Sequence, residues 1–423
     1  NNLVSEIDSN INKLVNNRST IYTKINYVAT LGKLTQLNNQ ENIEDYQSII
    51  FAQNQQIIPI LEQVLQEAQT TKDPQAQAYI LGYLGEQYEA QNQLEKAQEL
   101  TRKAIIITEE IKADDIAYRW QSQLGRILKA QGKKSEAITS YSRAYTILKS
   151  LRSDLVIVNK DLQYSFRESV EPIYRDFVSL LLEDQPSQSN LQQALEIMES
   201  LQIAELDNFF QDACSTTKTE NINQVATDTA VLYPIILPDR LDLILSLPGK
   251  DLKYYSSPIV QDQLESTIRK FKSFLTNNRA TRQYDYLPLA QELYDLFIRK
   301  TEPDLIKNNI KTLAFILDGS LRNIPMSVLN DGEQFLIEKY AVALSPGLKL
   351  LEPKKLPQEN LNALLGGLTE ARQGFSALPN VDTELEEIGT TVLHNTLLNQ
   401  NFTYSNIQEI IKNGSFPIIH LAT

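Results

Sequence analysis

Few side chains in this sequence could form a cysteine–histidine dyad. Cys214 carries the one thiol, and His394 and His420 are the two histidines. A cysteine beside an imidazole can lose its proton and attack a carbonyl carbon. Cys214, however, ends a helical stretch far from both histidines in sequence. We therefore interpret it as a small buried cysteine.

The two histidines lie at the ends of predicted strands. His394 follows a short apolar run, and we interpret it as a solvated loop histidine near the rim of the predicted site. His420 lies in the apolar run 416–422, which is typical of a strand that ends where open α/β sheets carry their chemistry. His420 and Thr423 point to opposite faces of this strand. No glycine or charged tail follows Thr423, so we expect the chain to stop within its fold.

The spacings of common metal, nucleotide and serine-hydrolase sites are missing from the sequence. Two distant histidines are too few for a metal site. Gly366-Gly367 follows a predicted strand, but no phosphate-binding motif develops there, and no G-x-S-x-G is present. Asp318-Gly319 is better explained as a turn, with the aspartate as its cap and positive φ at the glycine. We expect neither a metal nor a cofactor.

The composition limits the partners and the compartment. A length of 423 residues is enough for two or three domains. A net charge of −13 argues against direct binding of nucleic acid or of an anionic membrane, since both need a basic surface. No apolar run reaches the ~18 to 20 residues of a membrane span. One cysteine excludes an internal disulfide and suits a reducing compartment, so we expect a cytoplasmic protein.

The last segment of the chain alternates strand and helix patterns. Strands are predicted at 363–368, 391–393 and 416–422, and helices at 381–388 and 403–412. The order β-α-β-α-β implies a parallel sheet with right-handed crossovers. Asp382 and Thr403 are candidate N-caps of the two helices.

The middle of the chain combines both kinds of pattern. From about residue 216 the apolar period changes from 3.6 towards 2. Apolar runs at 230–237 and 241–247 flank Pro238-Asp239-Arg240 and predict a β-hairpin. Further patterns predict helices at 260–275 and 288–300, strands at 312–317 and 335–343, and a linker at 353–359.

The first half is helical and repeats with a period of 40 residues. Matching positions are Leu84-Gly85 with Leu124-Gly125, Ala97 with Ala137, and Ala104 with Ala144. This spacing is typical of tetratricopeptide repeats (TPRs), whose small residues let paired helices approach closely, although the usual period is ~34 residues. The extra residues would lengthen the helices or a link such as 112–115. Asn92 and Gly132 are predicted at turns, where positive φ is tolerated.

Two further copies of the repeat are predicted. The first lies at 45–70, with Ile57, Leu61 and Val64 on one helix face, and the second at 169–214. An irregular helix bundle is the alternative interpretation.

A series of short motifs runs from the repeats to the last residue. In chain order they are Ala194-Leu195-Glu196, 204–210, 237–241, 317–326, 344–347, 370–375 and 420–423. Each is weak alone, but the whole series in this order is similar to CHAT-domain proteins, above all the cyanobacterial type. These are caspase-like relatives of cysteine peptidases that follow TPRs. The resemblance implies α-helical TPR-type repeats followed by an incomplete α/β caspase-like (CHAT) domain.

The resemblance also implies where the chemistry would lie. In the family the last strand continues as His-x-Ala-Thr-His-Gly, the second histidine is catalytic, and the nucleophilic cysteine follows a later strand. His420 matches only the first histidine, which implies a structural or supporting role. Both catalytic residues are therefore expected downstream of Thr423, and we assign none within the chain. Arg372 could pair with an acidic substrate side chain, or it could be a structural arginine paired with Glu370.

These inferences combine into one prediction of organisation and function. We predict TPR-like repeats over 1–215, the N-terminal α+β part of the CHAT domain over 216–355, and the start of the caspase-like core over 356–423. The resemblance implies a caspase-like cysteine endopeptidase regulated by a protein or peptide bound to the repeats. The chain by itself is expected to be inactive. The alternative is a non-catalytic TPR scaffold that binds protein partners, and the oligomeric state stays open.

Overall fold

The computed structural model describes residues 10, 14–15, 17–41, 44–158, 166–210, 227–276, 286–347, 361–414 and 416–423. The chain divides into two compact units, Asn1–Leu351 and Glu352–Thr423. The first contains the helical array and a five-stranded sheet, and the second contains a three-stranded sheet. The further division predicted at residue 215 stays a prediction. Cys214 and the predicted linker at 353–359 lie outside the described residues.

Helices that pack on their neighbours along the chain form the array. They are α1 (Arg18–Glu41), α2 (Glu44–Thr70), α3 (Pro74–Ala90), α4 (Leu94–Glu110), α5 (Asp114–Ala130), α6 (Lys134–Val158), α7 (Glu171–Leu181) and α8 (Gln188–Phe210). A π-helical turn, Phe166–Val170, precedes α7. Helix α2 coincides with the copy predicted at 45–70, and its Ile57, Leu61 and Val64 are buried as expected. Among these described residues, no helix is both long and apolar enough to cross a membrane.

The repeat period arises from helix length. Helices α3, α4 and α5 each have 17 residues, and α3 to α6 begin 20 residues apart. Each link holds one residue with left-handed backbone: Lys72 (φ 53°), Asn92 (φ 58°), Lys112 (φ 55°) and Gly132 (φ 75°). The next residue donates its N–H to the carbonyl five residues back, which closes the helix end. The predicted turns at Asn92 and Gly132 are thus confirmed, and the link at 112–115 is no longer than the others.

Small residues at the repeat positions allow the helices to pack closely. Ala97, Ala104 and Ala137 are completely buried. A Cβ atom on Gly85 would lie 2.5 Å from Thr101 Oγ1, and one on Gly125 would lie 2.6 Å from the Tyr141 ring. The Leu-Gly pairs seen in the sequence therefore mark points where a larger residue would separate neighbouring helices.

The five-stranded sheet has the strand order β3-β2-β1-β4-β5. Its strands are β1 (Thr229–Ile236), β2 (Leu241–Ser246), β3 (Lys253–Ser257), β4 (Thr312–Phe315) and β5 (Ala341–Leu344). Strands β1 and β2 form the predicted antiparallel hairpin, while β1, β4 and β5 are parallel. Because successive side chains alternate, Val231 and Tyr233 pack with the array, whereas Ala230 and Leu232 pack on the opposite face.

Short helices cover that opposite face. They are α9 (Gln261–Thr276), α10 (Leu287–Tyr294), α11 (Glu302–Lys307) and α12 (Leu336–Lys339), and a π-helical turn at Asp295–Arg299 continues α10. The strand predicted at 335–343 is partly wrong, since its first half is α12 and β5 begins at Ala341. The Glu338 carboxylate accepts the Phe335 N–H at 2.6 Å, which stabilises the start of this helical turn.

The second unit has the predicted β-α-β-α-β order. Its elements are β6 (Asn362–Gly367), α13 (Val381–Gly389), β7 (Leu393–Leu398), α14 (Tyr404–Asn413) and β8 (Ile418–Ala422). The strands are parallel in the order β7-β6-β8. The strand predicted at 391–393 lies further on, because the hydroxyls of Thr390 and Thr391 donate to carbonyls of α13 and prolong its end.

One of the two predicted helix caps is confirmed. The Thr403 hydroxyl accepts the Asn406 N–H at 3.3 Å at the start of α14. Asp382 is not an N-cap, because Asn380 holds that position at α13 and Asp382 lies inside the first turn. The Asp382 carboxylate instead accepts the Thr383 N–H next to it.

Packing on both faces of β6 explains its pair of glycines. A Cβ atom on Gly366 would lie 2.3 Å from the Phe402 ring, and one on Gly367 would lie 2.4 Å from Val381 Cγ1. The two residues therefore serve close packing against α13 on one face and Phe402 on the other, rather than binding a phosphate.

We predict that Gly367→Ala lowers the free energy of unfolding by about 1–3 kcal/mol, because the new methyl group overlaps Val381. Urea unfolding of the chain, followed by circular dichroism, measures the change. The double variant Gly367→Ala, Val381→Ala should lose less than the sum of the two single variants, since it removes the overlap. Strict additivity would contradict this packing argument.

Candidate functional site

The carboxyl ends of the strands in the second unit meet at one edge. The Leu368 N–H donates to the Ala422 carbonyl at 3.0 Å, which joins the loop after β6 to the end of β8. The Thr369 N–H donates to Asn399 Oδ1 at 2.8 Å, and Asn399 Nδ2 donates to Thr369 Oγ1 at 2.8 Å. These bonds join the ends of β6 and β7. The edge where an open sheet carries its chemistry is thus built from three strand ends.

His420 lies two residues before Ala422, the last residue of β8, which is at this edge. It is opposite Leu365 in the register of β6 and β8. Its Nε2 atom lies 3.0 Å from Glu384 Oε1 on α13, and both side chains are partly exposed. No hydrogen bond or ion pair joins it to Arg372 within the described residues. His420 therefore braces the strand against α13, and its supporting role in catalysis stays a prediction.

Arg372 lies in a tight turn that follows β6. The Phe375 N–H donates to the Arg372 carbonyl at 2.9 Å, and positive φ at Gln373 (51°) and Gly374 (88°) reverses the chain between them. Arg372 Nη2 is 3.9 Å from Glu370 Oε2, and the two side chains are 38% and 62% exposed. A pair this long and this exposed holds the guanidinium weakly. Its proposed contact with substrate stays a prediction.

His394 does not lie near the rim of the predicted site. It is the second residue of β7 and pairs in register with Ala363 at the beginning of β6. It is therefore at the amino end of the parallel sheet, opposite to the expected edge. Its ring packs over Gly389, and Nδ1 lies 3.1 Å from the Val392 carbonyl oxygen. The error arose from placing β7 two residues too early.

A buried ion pair joins the array to the five-stranded sheet. Arg175 on α7 donates to both carboxylate oxygens of Asp318 at 2.8 and 2.9 Å. Asp318 also accepts the Ile236 N–H at 3.0 Å, and Arg175 reaches the Ile236 carbonyl at 3.3 Å. Glu171 lies 2.7 Å from Arg175 Nε. Burial disfavours the charge on Arg175, but Asp318 and Glu171 outweigh it and keep its pKa above the ordinary value.

The role of Asp318 differs from the sequence prediction. Gly319 has the expected positive φ of 50°, but it begins a 3-10 turn, Gly319–Asn323, to which Asp318 gives no side-chain cap. The carboxylate is instead 2% exposed and directed to Arg175. An aspartate that follows a buried strand indicates that a positively charged partner is present somewhere in the fold. The sequence does not say which arginine it is, because the two residues are 143 positions apart.

Several of the motifs found in the sequence meet at this joint. Arg322, in the motif 317–326, is 2.8 Å from Glu205 of α8. Arg240, in the motif 237–241, lies 2.9 Å from the buried Asp242 and donates to the Ser179 carbonyl at the end of α7. The motifs 204–210, 237–241 and 317–326 therefore help to hold the array against the sheet. Among the described residues, no cluster of three or more potential ligands could hold a metal ion.

We predict that Asp318→Asn lowers the free energy of unfolding by about 3 kcal/mol, since it leaves the Arg175 charge without its buried partner. Asp239→Asn is the matched control, because Asp239 also contacts an arginine but is 70% exposed. It should change stability by less than about 1 kcal/mol. Equal losses in urea unfolding for the two variants would contradict a special role of the Arg175–Asp318 pair.

A groove with a volume of about 610 Å³ lies on the array. Side chains of α1, α3, α5 and α7 line it. Arg126 on α5 donates to both oxygens of Glu89 at 3.0 and 3.1 Å. Asp176 on α7 accepts the Tyr141 hydroxyl at 3.4 Å, and burial raises the pKa of its carboxyl above the ordinary value. The volume is within the ~300–1,000 Å³ of typical ligand pockets.

Comparison with known proteins gives a family-model match for the C-terminal part of the chain. The family model of the CHAT domain matches residues 287–423, from α10 to the last residue. BtubC (BKLC) from P. vanneervenii is 17% identical with a TM-score of 0.28, and the match covers 50% of this chain and 86% of that one. A Podosopora anserina protein described as a kinesin light chain with nearly identical TPR-like repeats is 17% identical. Its TM-score is 0.24, with coverage of 44% and 92%.

No curated protein matches this chain. The predicted fold class, helical TPR-like repeats followed by an α/β CHAT region, is confirmed. The cyanobacterial type stays a prediction.

Proposed function

We propose that the protein acts as a caspase-like cysteine endopeptidase controlled through its helical repeats, because residues 287–423 match the family model of the CHAT domain and follow those repeats. The family match carries the proposal. By the resemblance, none of the 423 residues is assigned as the catalytic histidine or cysteine, and in this proposal these residues by themselves have no peptidase activity. One cysteine also supports a cytoplasmic location.

The proposed reaction uses a thiolate. The imidazole takes the thiol proton, the sulfur attacks the peptide carbonyl, and the amine leaves with the proton that the imidazole returns. Water then hydrolyses the acyl-enzyme. The edge formed by β6, β7 and β8 suits this chemistry, because its ends are held by hydrogen bonds such as Thr369–Asn399. In this proposal the contact between His420 and Glu384 holds β8 against α13, and Arg372 contacts the substrate.

Helix α7 supports the proposed control by the repeats. Its Pro172, Ile173 and Asp176 line the groove, so a partner bound there would touch this helix. On the same helix, Arg175 is bonded to Asp318 and to the backbone of Ile236. Binding in the groove thus acts on the helix that holds the sheet. A partner in the groove would therefore touch the helix that is bonded to the five-stranded sheet.

Peptidase assays on the protein expressed from its complete gene test the proposed function. We expect cleavage of a casein substrate, lost when the cysteine of the family dyad is replaced by alanine. The 423-residue chain should cleave nothing, and Cys214→Ala should change nothing. A complete gene without the second histidine or the later cysteine would favour the scaffold alternative. Turnover by the 423-residue chain that survives Cys214→Ala would show that the chemistry lies elsewhere.

If Arg372 pairs with an acidic substrate side chain, Arg372→Ala should lower kcat/KM for peptides with glutamate before the cleaved bond. We expect a loss of about tenfold or more, the cost of a hydrogen bond to a charged group. Peptides with glutamine there should be less affected. The control is Lys412→Ala, which removes an exposed cation of the same unit. A structural role for Arg372 predicts equal losses for both peptides.

A further inference from the structure

The loop 369–378 starts from the edge formed by the ends of β6, β7 and β8, and it is closed at its base. The Leu378 N–H donates to the Thr369 carbonyl at 3.1 Å, so the loop leaves the sheet and returns to it at one point. The N–H and the hydroxyl of Thr369 both bond the side chain of Asn399, which follows β7. The loop is therefore anchored at the edge where the proposed reaction takes place.

The tip of this loop places two side chains on one face. Arg372 and Phe375 form an antiparallel bridge across the turn, and left-handed backbone at Gln373 and Gly374 reverses the chain between them. Residues directly opposite each other in such a bridge share one face, with their Cβ atoms ~4.5–5.5 Å apart. A guanidinium group and a phenyl ring are thus neighbours on one face of the turn.

Phe375 contributes little to the fold. It is 79% exposed, and no large apolar side chain in the described part of the chain is more exposed. The turn depends on the positive φ values of Gln373 and Gly374, which do not require an aromatic residue at the next position. Single exposed apolar residues are common on protein surfaces, but this one lies beside the weakly held Arg372. The pair fits a ligand with an apolar side chain close to an acidic one.

We propose that Phe375 determines the specificity of the peptidase, by packing against a large apolar side chain of the substrate two positions from the residue that contacts Arg372. This inference rests on the proposed function and on the substrate contact proposed there for Arg372. An extended peptide turns every second side chain to the same face, and these side chains are roughly 7 Å apart. Arg372 and Phe375 are long enough to reach both from neighbouring positions. The substrate residue between the two would point away.

Internally quenched peptides, cleaved by the protein expressed from its complete gene, test the proposal. Each peptide carries glutamate before the cleaved bond and either phenylalanine or serine at one other position. We expect kcat/KM to be higher with phenylalanine two residues from the glutamate, and Phe375→Ala to reduce this preference about fivefold or more. The preference for glutamate over glutamine should persist in Phe375→Ala. The proposal is overturned if no phenylalanine preference exists, if Phe375→Ala leaves it intact, or if it occurs only next to the glutamate.

Two further variants control this test. Leu393→Ala should leave the phenylalanine preference unchanged, because Leu393 is 65% exposed but lies at the amino end of β7. Phe375→Leu should keep most of the preference, since it retains a large apolar side chain. Phe375→Ala should not change the midpoint of thermal unfolding of the 423-residue chain, because the ring is exposed. A lower midpoint would show that the ring serves the fold and would count against the proposal.

Asn399→Gly tests whether the anchored base of the loop matters. Asn399 has a φ of 51°, which glycine adopts without strain, so this change removes the side-chain amide and keeps the backbone conformation. The preferences for glutamate and for phenylalanine should fall together in this variant, whereas Phe375→Ala should lower only the second. Two unchanged preferences in Asn399→Gly would contradict a loop that is held in place to contact the substrate.

Failure of the proposed function and failure of this inference give different results. If the protein from the complete gene cleaves neither casein nor any of these peptides, both are overturned. If it cleaves the peptides and Phe375→Ala alters no positional preference, only the role of Phe375 is overturned.

Discussion

The first unit depends on one buried carboxylate. Asp318 is almost fully removed from water, and such a charge is tolerated only with full compensation. It receives two hydrogen bonds from Arg175 and one from the Ile236 backbone. The end of β1, the turn after β4 and helix α7 must therefore come together correctly before the charge can be buried. In addition to apolar packing, the hydrogen bonds of Asp318 therefore fix how the array packs against the sheet.

This requirement gives helix α7 two roles. One side of the helix closes the groove, through Ile173 and Asp176, and the other holds the sheet through Arg175. Residues of three sequence motifs add to the same joint, because Arg322 pairs with Glu205 and Arg240 reaches the end of α7. Residues that resemble family signatures need not be catalytic. Here they fix the position of one helix, which is where a partner in the groove would act.

The sheet of the second unit obeys a different constraint, that of close packing. Gly366 and Gly367 leave no room for a side chain on either face of β6. In sequence, such a pair resembles part of a nucleotide-binding motif. In the structure, the neighbouring Phe402 and Val381 leave no space for a side chain at either position. The edge of this sheet is then ordered by Thr369 and Asn399, which no sequence pattern indicated. Their pairing depends on the parallel register, which brings the ends of β6 and β7 side by side.

Local chemistry in the sequence determined the repeats, the hairpin, the β-α-β-α-β order and the Thr403 cap. Each depends on periodicity or on residues a few positions apart, which a linear chain displays directly. Only the tertiary structure decided that His394 lies at the amino end of its sheet and that Asp318 meets Arg175. Those facts depend on strand register and on contacts between distant residues. The free energy of a buried or unpaired charge is set by such neighbours, not by its position in the sequence.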